Sequence, residues 1–189
     1  ILYPWPYNDL SNKSWGFVKQ SPNHNDFDFI TVDEGKQKIY FNNKECQLSK
    51  DLIIPAGYEL VCDKGTNIIL GKGKNILSYS PLSFEGTKAE PIMIEGKEDS
   101  GSGIIIMNSK NISVFNYVTF SNLSKPKDLR WGLTSSITLY ESPAELKHCT
   151  FDRNHVADDF INFIRTSFKI DSCSFMNVNA DAIDGDFTN

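Results

Sequence analysis

The residues whose types and spacing could do chemistry lie late in the chain: Asp158, Asp159, Asn162, Arg165, Asp181, Asp184 and Asp186. Among them, Asp159-Phe-Ile-Asn162 is answered 22 positions on by Asp181-Ala-Ile-Asp184. If both segments are strands with Ile161 and Ile183 turned inward, alternation places Asn162, Asp184 and Asp186 together on the outer face. Asp184 and Asp186 then point the same way about 7 Å apart, with Asn162 on the adjoining rung. Three oxygen-bearing side chains so arranged could hold Ca²⁺, which takes six to eight oxygens at about 2.3–2.6 Å. A carboxylate pair could instead serve glycoside hydrolysis, whose inverting form needs about 6.5–9.5 Å between acid and base. The plainer explanation is structural: Asp and Asn tolerate strained backbone at turns, cap exposed amides and stack into polar ladders. Against it, like charges on adjacent rungs repel, and a ladder of Asn alone would avoid that cost.

The elements that must position these groups are visible in a longer repeat. Leu146-Lys-His-Cys149-Thr-Phe151 is restated as Ile170-Asp-Ser-Cys173-Ser-Phe175, with Cys and Phe each 24 positions on. Residues two apart share one face of a strand, so Cys and Phe point inward while Thr150 and Ser174 point out. One coil of about 22 to 24 residues cannot bury that face alone, but coils stacked at about 4.8 Å turn it into continuous ladders. Tyr117-Val-Thr-Phe120 states the theme earlier, 31 positions before Phe151. The excess is assigned to a loop, Ser124 to Trp131, thrown out from a turn. From Ile39 onward, strands of about three to five residues alternate with Gly, Pro or Asn turns. Only Val156 to Ile164 competes as a helix, and the repeat outranks it. These features predict an all-β chain, a right-handed parallel β-helix of roughly six coils over residues 45–189.

Residues 1–44 differ in texture, carrying Tyr3, Trp5, Tyr7, Trp15, Phe17, Phe27 and Phe29 among Pro, Asn and Ser. An open solenoid end exposes strand edges and core, so this segment is expected to be an aromatic cap; a sugar-stacking platform is the sharper alternative. The other end is expected to need a continuation or a partner, and Asn189 is taken as a truncation. The chain opens on Ile1 with no basic-then-apolar leader, which suggests a processed product or an excised piece. A formal charge of −5, from 19 basic and 24 acidic residues, argues against a nucleic-acid surface. No window is apolar enough to span a membrane.

Four cysteines are too few for a disulfide framework. Cys149 and Cys173 are expected to stack within bonding range as reduced core residues, and the pairing of Cys46 with Cys62 is left open. His148 should face outward and His155 lie in a turn, with no second ligand at zinc spacing. Asn12, Asn111 and Asn122 match the glycosylation pattern by chance.

Asp51-Leu-Ile-Ile-Pro-Ala-Gly-Tyr-Glu-Leu60, Gly65-Thr66, and Pro81-Leu-Ser-Phe-Glu-Gly-Thr-Lys-Ala-Glu-Pro-Ile92 resemble the opening coils of bacterial right-handed parallel β-helix proteins of the pectate-lyase-like superfamily. Cys149-Thr-Phe151 resembles their coil signature, and the likeness covers about Ile39 to Asn189. The Ala157–Arg165 and Ala180–Asp186 runs are similar to uncharacterised bacterial surface β-helices, some joined to spore-coat-kinase-like domains. This implies a secreted or cell-surface setting and a polysaccharide partner. A pectate-lyase mechanism would add a Ca²⁺ cluster and a basic residue, for which Arg165 is the candidate, with Arg153 and Lys169 behind it. A polygalacturonase-like mechanism would want further motifs, of which only the paired Asp158-Asp159 is present. The favoured function is a non-enzymatic, carbohydrate-associated or scaffolding module. The alternative is a polysaccharide lyase or glycoside hydrolase using Asp159, Arg165, Asp184 and Asp186. A groove combining this cluster with rings from the Ser124–Trp131 loop would favour the enzyme.

Overall fold

The computed structural model describes residues 20–97, 103–126 and 132–188. After β1 (Ile30–Asp33) the chain makes six three-stranded coils. The first comprises β2 (Lys38–Phe41), β3 (Glu45–Leu48) and β4 (Leu52–Ile54), and the second β5 (Glu59–Asp63), β6 (Asn67–Leu70) and β7 (Ile76–Ser78). The third comprises β8 (Leu82–Glu85), β9 (Ile92–Gly96) and β10 (Ile104–Met107), and the fourth β11 (Ser113–Asn116), β12 (Val118–Ser124) and β13 (Ile137–Tyr140). The fifth comprises β14 (Ala144–Lys147), β15 (Thr150–His155) and β16 (Asp159–Ile164), and the sixth β17 (Phe168–Asp171), β18 (Ser174–Met176) and β19 (Asp181–Asp186). First, second and third strands of successive coils stack into three sheets. Pairing is parallel throughout except where β1 lies antiparallel on β2. This is the parallel β-helix that the repeat predicts, and Val156 to Ile164 contributes a strand rather than a helix.

Register puts like on like. Phe120, Phe151 and Phe175 stack in the second sheet, and Ile104, Ile137, Ile161 and Ile183 stack in the third. A chain of rings runs through the core: Phe29–Phe41–Phe84–Phe115–Phe120–Phe151–Phe175, with successive centroids 4.5–6.1 Å apart. Beyond its first member lies Phe27, 5.2 Å from Phe29. These two buried rings form the aromatic cap. The other aromatic residues assigned to the cap, Tyr3, Trp5, Tyr7, Trp15 and Phe17, lie outside the described residues. Beside Phe27 and Phe29 a short 3-10 turn, His24–Asp26, follows Asn23, which covers the free edge of β4. Asn23 N donates to Ile53 O, its Oδ1 accepts from Ile53 N at 2.8 Å, and its Nδ2 donates to Asp51 O at 2.8 Å. At the other end, coil 6 leaves Phe175 half-buried and Phe187 89% exposed.

Coil length departs from the uniform expectation. In the first sheet the register advances by 21, 22, 31, 31 and 24 residues. Two coils are longer than the rest: in the fourth the excess lies between β12 and β13, where a loop was expected, and in the third it lies mainly between β8 and β9, where none was expected. They leave at different corners, the one between the second and third sheets and the other between the first and second, and neighbouring strands keep their register. Residues 127–131, most of the expected Ser124–Trp131 loop, lie outside the described residues.

The coils turn on single left-handed residues. Tyr117, His148 and Ser172 have φ of 48°, 53° and 54° at the corner between the first and second sheets. Asn122, Arg153 and Asn177 repeat this within the second sheet, at 53°, 60° and 50°. Left-handed backbone in bulky residues is strained, and here the same conformation recurs one coil above another. In coil 3 the neighbours of these corners are glycines for want of room: a Cβ on Gly86 would lie 2.5 Å from Tyr117 O, and one on Gly96 2.2 Å from Asn122 O.

Two predictions follow from this packing. Phe151 is fully buried between Phe120 and Phe175, so Phe151→Ala should lower urea-unfolding stability by about 3–5 kcal/mol. Thr150→Ala, on the outer face, should change it by about 0.5 kcal/mol or less. In the cap, burial holds the His24 imidazole below its ordinary range, against the pull of Glu34 and Asp26. Its folded value is depressed, so its contribution is intact above about pH 6.5 and is lost as pH falls below that. Thermal melts of wild type and His24→Gln between about pH 7 and pH 5 should diverge, with wild type losing more.

Candidate functional site

The site lies on the outer face of the third sheet. Register aligns Ile53, Leu77, Ile105, Thr138, Asn162 and Asp184 in one outward row. Two residues on, Met107, Tyr140, Ile164 and Asp186 form a second row. The first row is therefore apolar over the first three coils and polar over the last three, while the second ends in a carboxylate only at Asp186. Ile53, Leu77, Ile105 and Met107 make a buried cluster of their own, with Tyr79, Leu133 and Tyr140 packed against it.

At the polar end Asn162 is 5% exposed. Its Nδ2 donates to Asp184 Oδ2 at 3.1 Å and to Asp186 Oδ2 at 3.4 Å, while its Oδ1 is buried without a hydrogen bond. The three side chains that the repeat places together do converge. One coil earlier, Ser135 Oγ and Thr138 Oγ1 lie 2.8 Å apart. Asp159 is buried and accepts a hydrogen bond from Thr134 Oγ1 at 2.9 Å. Burial raises its carboxyl above the ordinary range, Thr134 opposes this, and the charges of Asp184, Asp158 and Asp181 add to the rise. Asp158 and Asp181 are exposed and joined through their backbones, Asp181 N donating to Asp158 O at 3.1 Å.

Of the candidate bases, two are engaged with other partners and one lies on another sheet. Arg165 occupies a left-handed corner with φ 52°, and its Nε lies 3.2 Å from Glu141 Oε1. Arg153 donates to Asn122 Oδ1 at 3.0 Å on the second sheet, and Lys169 belongs to the first. The corner turns the Arg165 guanidinium toward its neighbour one coil below, an effect that strand alternation does not capture. Sequence reasoning also passed over Thr134, Ser135, Thr138 and Tyr140. Ser135-Ser136-Ile137-Thr138-Leu139-Tyr140 alternates as a strand, and that alternation was the available signal.

Calcium fits this arrangement only after one change. The Asn162 amide presents nitrogen to the two carboxylates, as a hydrogen-bonded ladder requires. Turning the amide over would present Oδ1 instead, giving three side chains with oxygen toward one point. Among the described residues no three His, Cys, Asp or Glu side chains group as a metal site. His148 stacks on Tyr117 at 4.5 Å, and all four cysteines are free thiols. The described cleft is a shallow notch between Ile112, Pro143, Glu145, Phe168 and Lys169, at the turn from the third sheet to the first and away from the carboxylates.

The raised Asp159 carboxyl gives a signed prediction. Its folded value exceeds the unfolded one, so its contribution to stability is complete below about pH 4 and is lost as pH rises through the folded value. Asp159→Asn keeps the shape and can still accept from Thr134, without the charge. Its urea midpoint should exceed that of wild type at neutral pH, with the gap closing toward about pH 4. A lower midpoint at neutral pH would show that the charge itself holds the site together.

Compared with known proteins, the chain matches no family model, no curated protein and no solved structure.

Proposed function

We propose that this chain is a non-enzymatic β-helix module of a secreted or cell-surface bacterial protein. It presents the outer face of its third sheet to a polysaccharide or a partner domain. The observation that carries this reading is that the candidate catalytic groups are tied to neighbours one coil away. Asn162 holds Asp184 and Asp186, Thr134 holds Asp159, and Glu141 holds Arg165. General acid–base catalysis needs groups free to reach a substrate proton, whereas axial pairing makes a stiff, patterned surface. The polar row of Thr138, Asn162 and Asp184 beside Tyr140 suits carbohydrate, which offers hydroxyls for hydrogen bonding and apolar ring faces for aromatic contact. The resemblance to pectate-lyase-like β-helices supports the setting.

A second reading is favoured by one observation. Asp159 has a carboxyl raised by burial and close enough to Asp184 to feel its charge, and a carboxyl so perturbed is a feature of acid–base sites. In that case Asp159, Arg165, Asp184 and Asp186 would act in a polysaccharide lyase or glycoside hydrolase. Ca²⁺ would be held by Asn162, Asp184 and Asp186.

One set of assays separates the two. Co-sedimentation with insoluble polysaccharides should show retention that falls severalfold in Tyr140→Ala. The same mixtures should release neither reducing ends nor unsaturated uronates, with or without Ca²⁺. Product release abolished by Asp159→Asn would sink the scaffold reading. A Ca²⁺-dependent rise in Tm, lost in the Asp184→Ala, Asp186→Ala double variant, would establish the metal site independently of catalysis.

A further inference from the structure

Cys149 and Cys173 occupy equivalent places on successive coils. Each directly follows a left-handed corner residue, His148 or Ser172, and precedes a register pair, Thr150 with Ser174. Their sulfurs have matching surroundings one coil apart. Cys149 Sγ donates to Phe115 O at 3.5 Å and to Lys147 O at 3.4 Å. Cys173 Sγ donates to Leu146 O at 3.6 Å and to Asp171 O at 3.5 Å. Phe115 with Leu146, and Lys147 with Asp171, are themselves register pairs. Cys149 N donates to Cys173 Sγ at 3.4 Å, so the lower residue already touches the upper sulfur. The rung spacing of about 4.8 Å lies within the Cα separations of about 4.4–6.8 Å that a disulfide spans.

Access differs along the axis. Cys149 is 1% exposed, whereas Cys173, on coil 6, is half-buried. Cys46 and Cys62 are buried and lie in different columns, paired by register with Ile68 and Phe84.

We propose that Cys149 and Cys173 form an oxidation-dependent staple, in which a small disulfide such as oxidised glutathione converts the two thiols into a bond fastening coil 6 to coil 5. The Cys173 thiol loses its proton to solvent and attacks one sulfur of the small disulfide, expelling a thiolate. Cys149 then loses its proton and attacks Cys173 Sγ, expelling the second glutathione. Two S–H bonds become one S–S bond, and the two electrons reduce the reagent to two thiols. Burial pushes the Cys149 thiol up to about 12, so the second step is slow and quickens with pH. The bond closes a loop through β15, β16 and β17 and ties the start of coil 6 to coil 5. The unfolded chain loses freedom accordingly.

The test is incubation of the native protein with excess oxidised glutathione, followed by thiol alkylation after unfolding and peptide mass mapping. The expected result is a linked Cys149–Cys173 peptide with Cys46 and Cys62 still alkylated. Tm should rise by roughly 5–10 °C, and dithiothreitol should reverse the rise. Cys173→Ser replaces the less buried partner and should abolish both link and shift. A stable glutathione adduct on Cys173 with Cys149 free, a link to another cysteine, or a link that lowers Tm would each overturn the proposal.

Discussion

In-register parallel stacking is the constraint on which everything else in this molecule depends. Each coil is too thin to bury its own apolar face, so its inward residues need the matching residues of the next coil. A slip of one residue in any pair would send Phe, Ile or Leu to solvent. The all-isoleucine run in the third sheet, Ile104, Ile137, Ile161 and Ile183, shows the rule at its simplest. The ring chain that crosses from the first sheet to the second between Phe115 and Phe120 shows it absorbing a change of shape.

The same constraint explains the corners and the surface. A coil must turn within one or two residues without changing height, and a left-handed residue does that. Tyr, His, Ser, Asn, Arg and Glu all adopt the conformation here, where isolated sites would favour Gly or Asn. Outward side chains inherit a partner one coil away, which accounts for Asn122 with Glu95, Arg153 with Asn122, and Asn177 with Asp152. The carboxylates around Asn162 belong to this pattern, and what separates them from it is burial. Asp159 and Asn162 are polar groups held nearly out of water, with one amide oxygen left without a partner. That departure makes this face, rather than the exposed ladders, the place to look for a ligand.

The β-helix was legible because a two-residue strand period and a long repeat coincide in Cys149-Thr-Phe151 and Cys173-Ser-Phe175. The convergence of Asn162, Asp184 and Asp186 was legible for the same reason, since period and register together assign face and height. Arg165 was not, because one left-handed residue redirects a side chain by an amount that alternation cannot express. Thr134 and Thr138 were not either. Their segment follows an insertion, and the longer spacing masked the match between Ile104 and Ile137.

By itself the sequence determined the architecture, the inward residues and the grouping of three polar side chains, because these follow from local periodicity repeated at a fixed spacing. Only the tertiary structure decided which polar groups are buried, which are already engaged, and which thiol can be reached. Those properties depend on what another coil or an inserted loop places over a side chain, and cover from distant residues leaves no periodic trace in the chain.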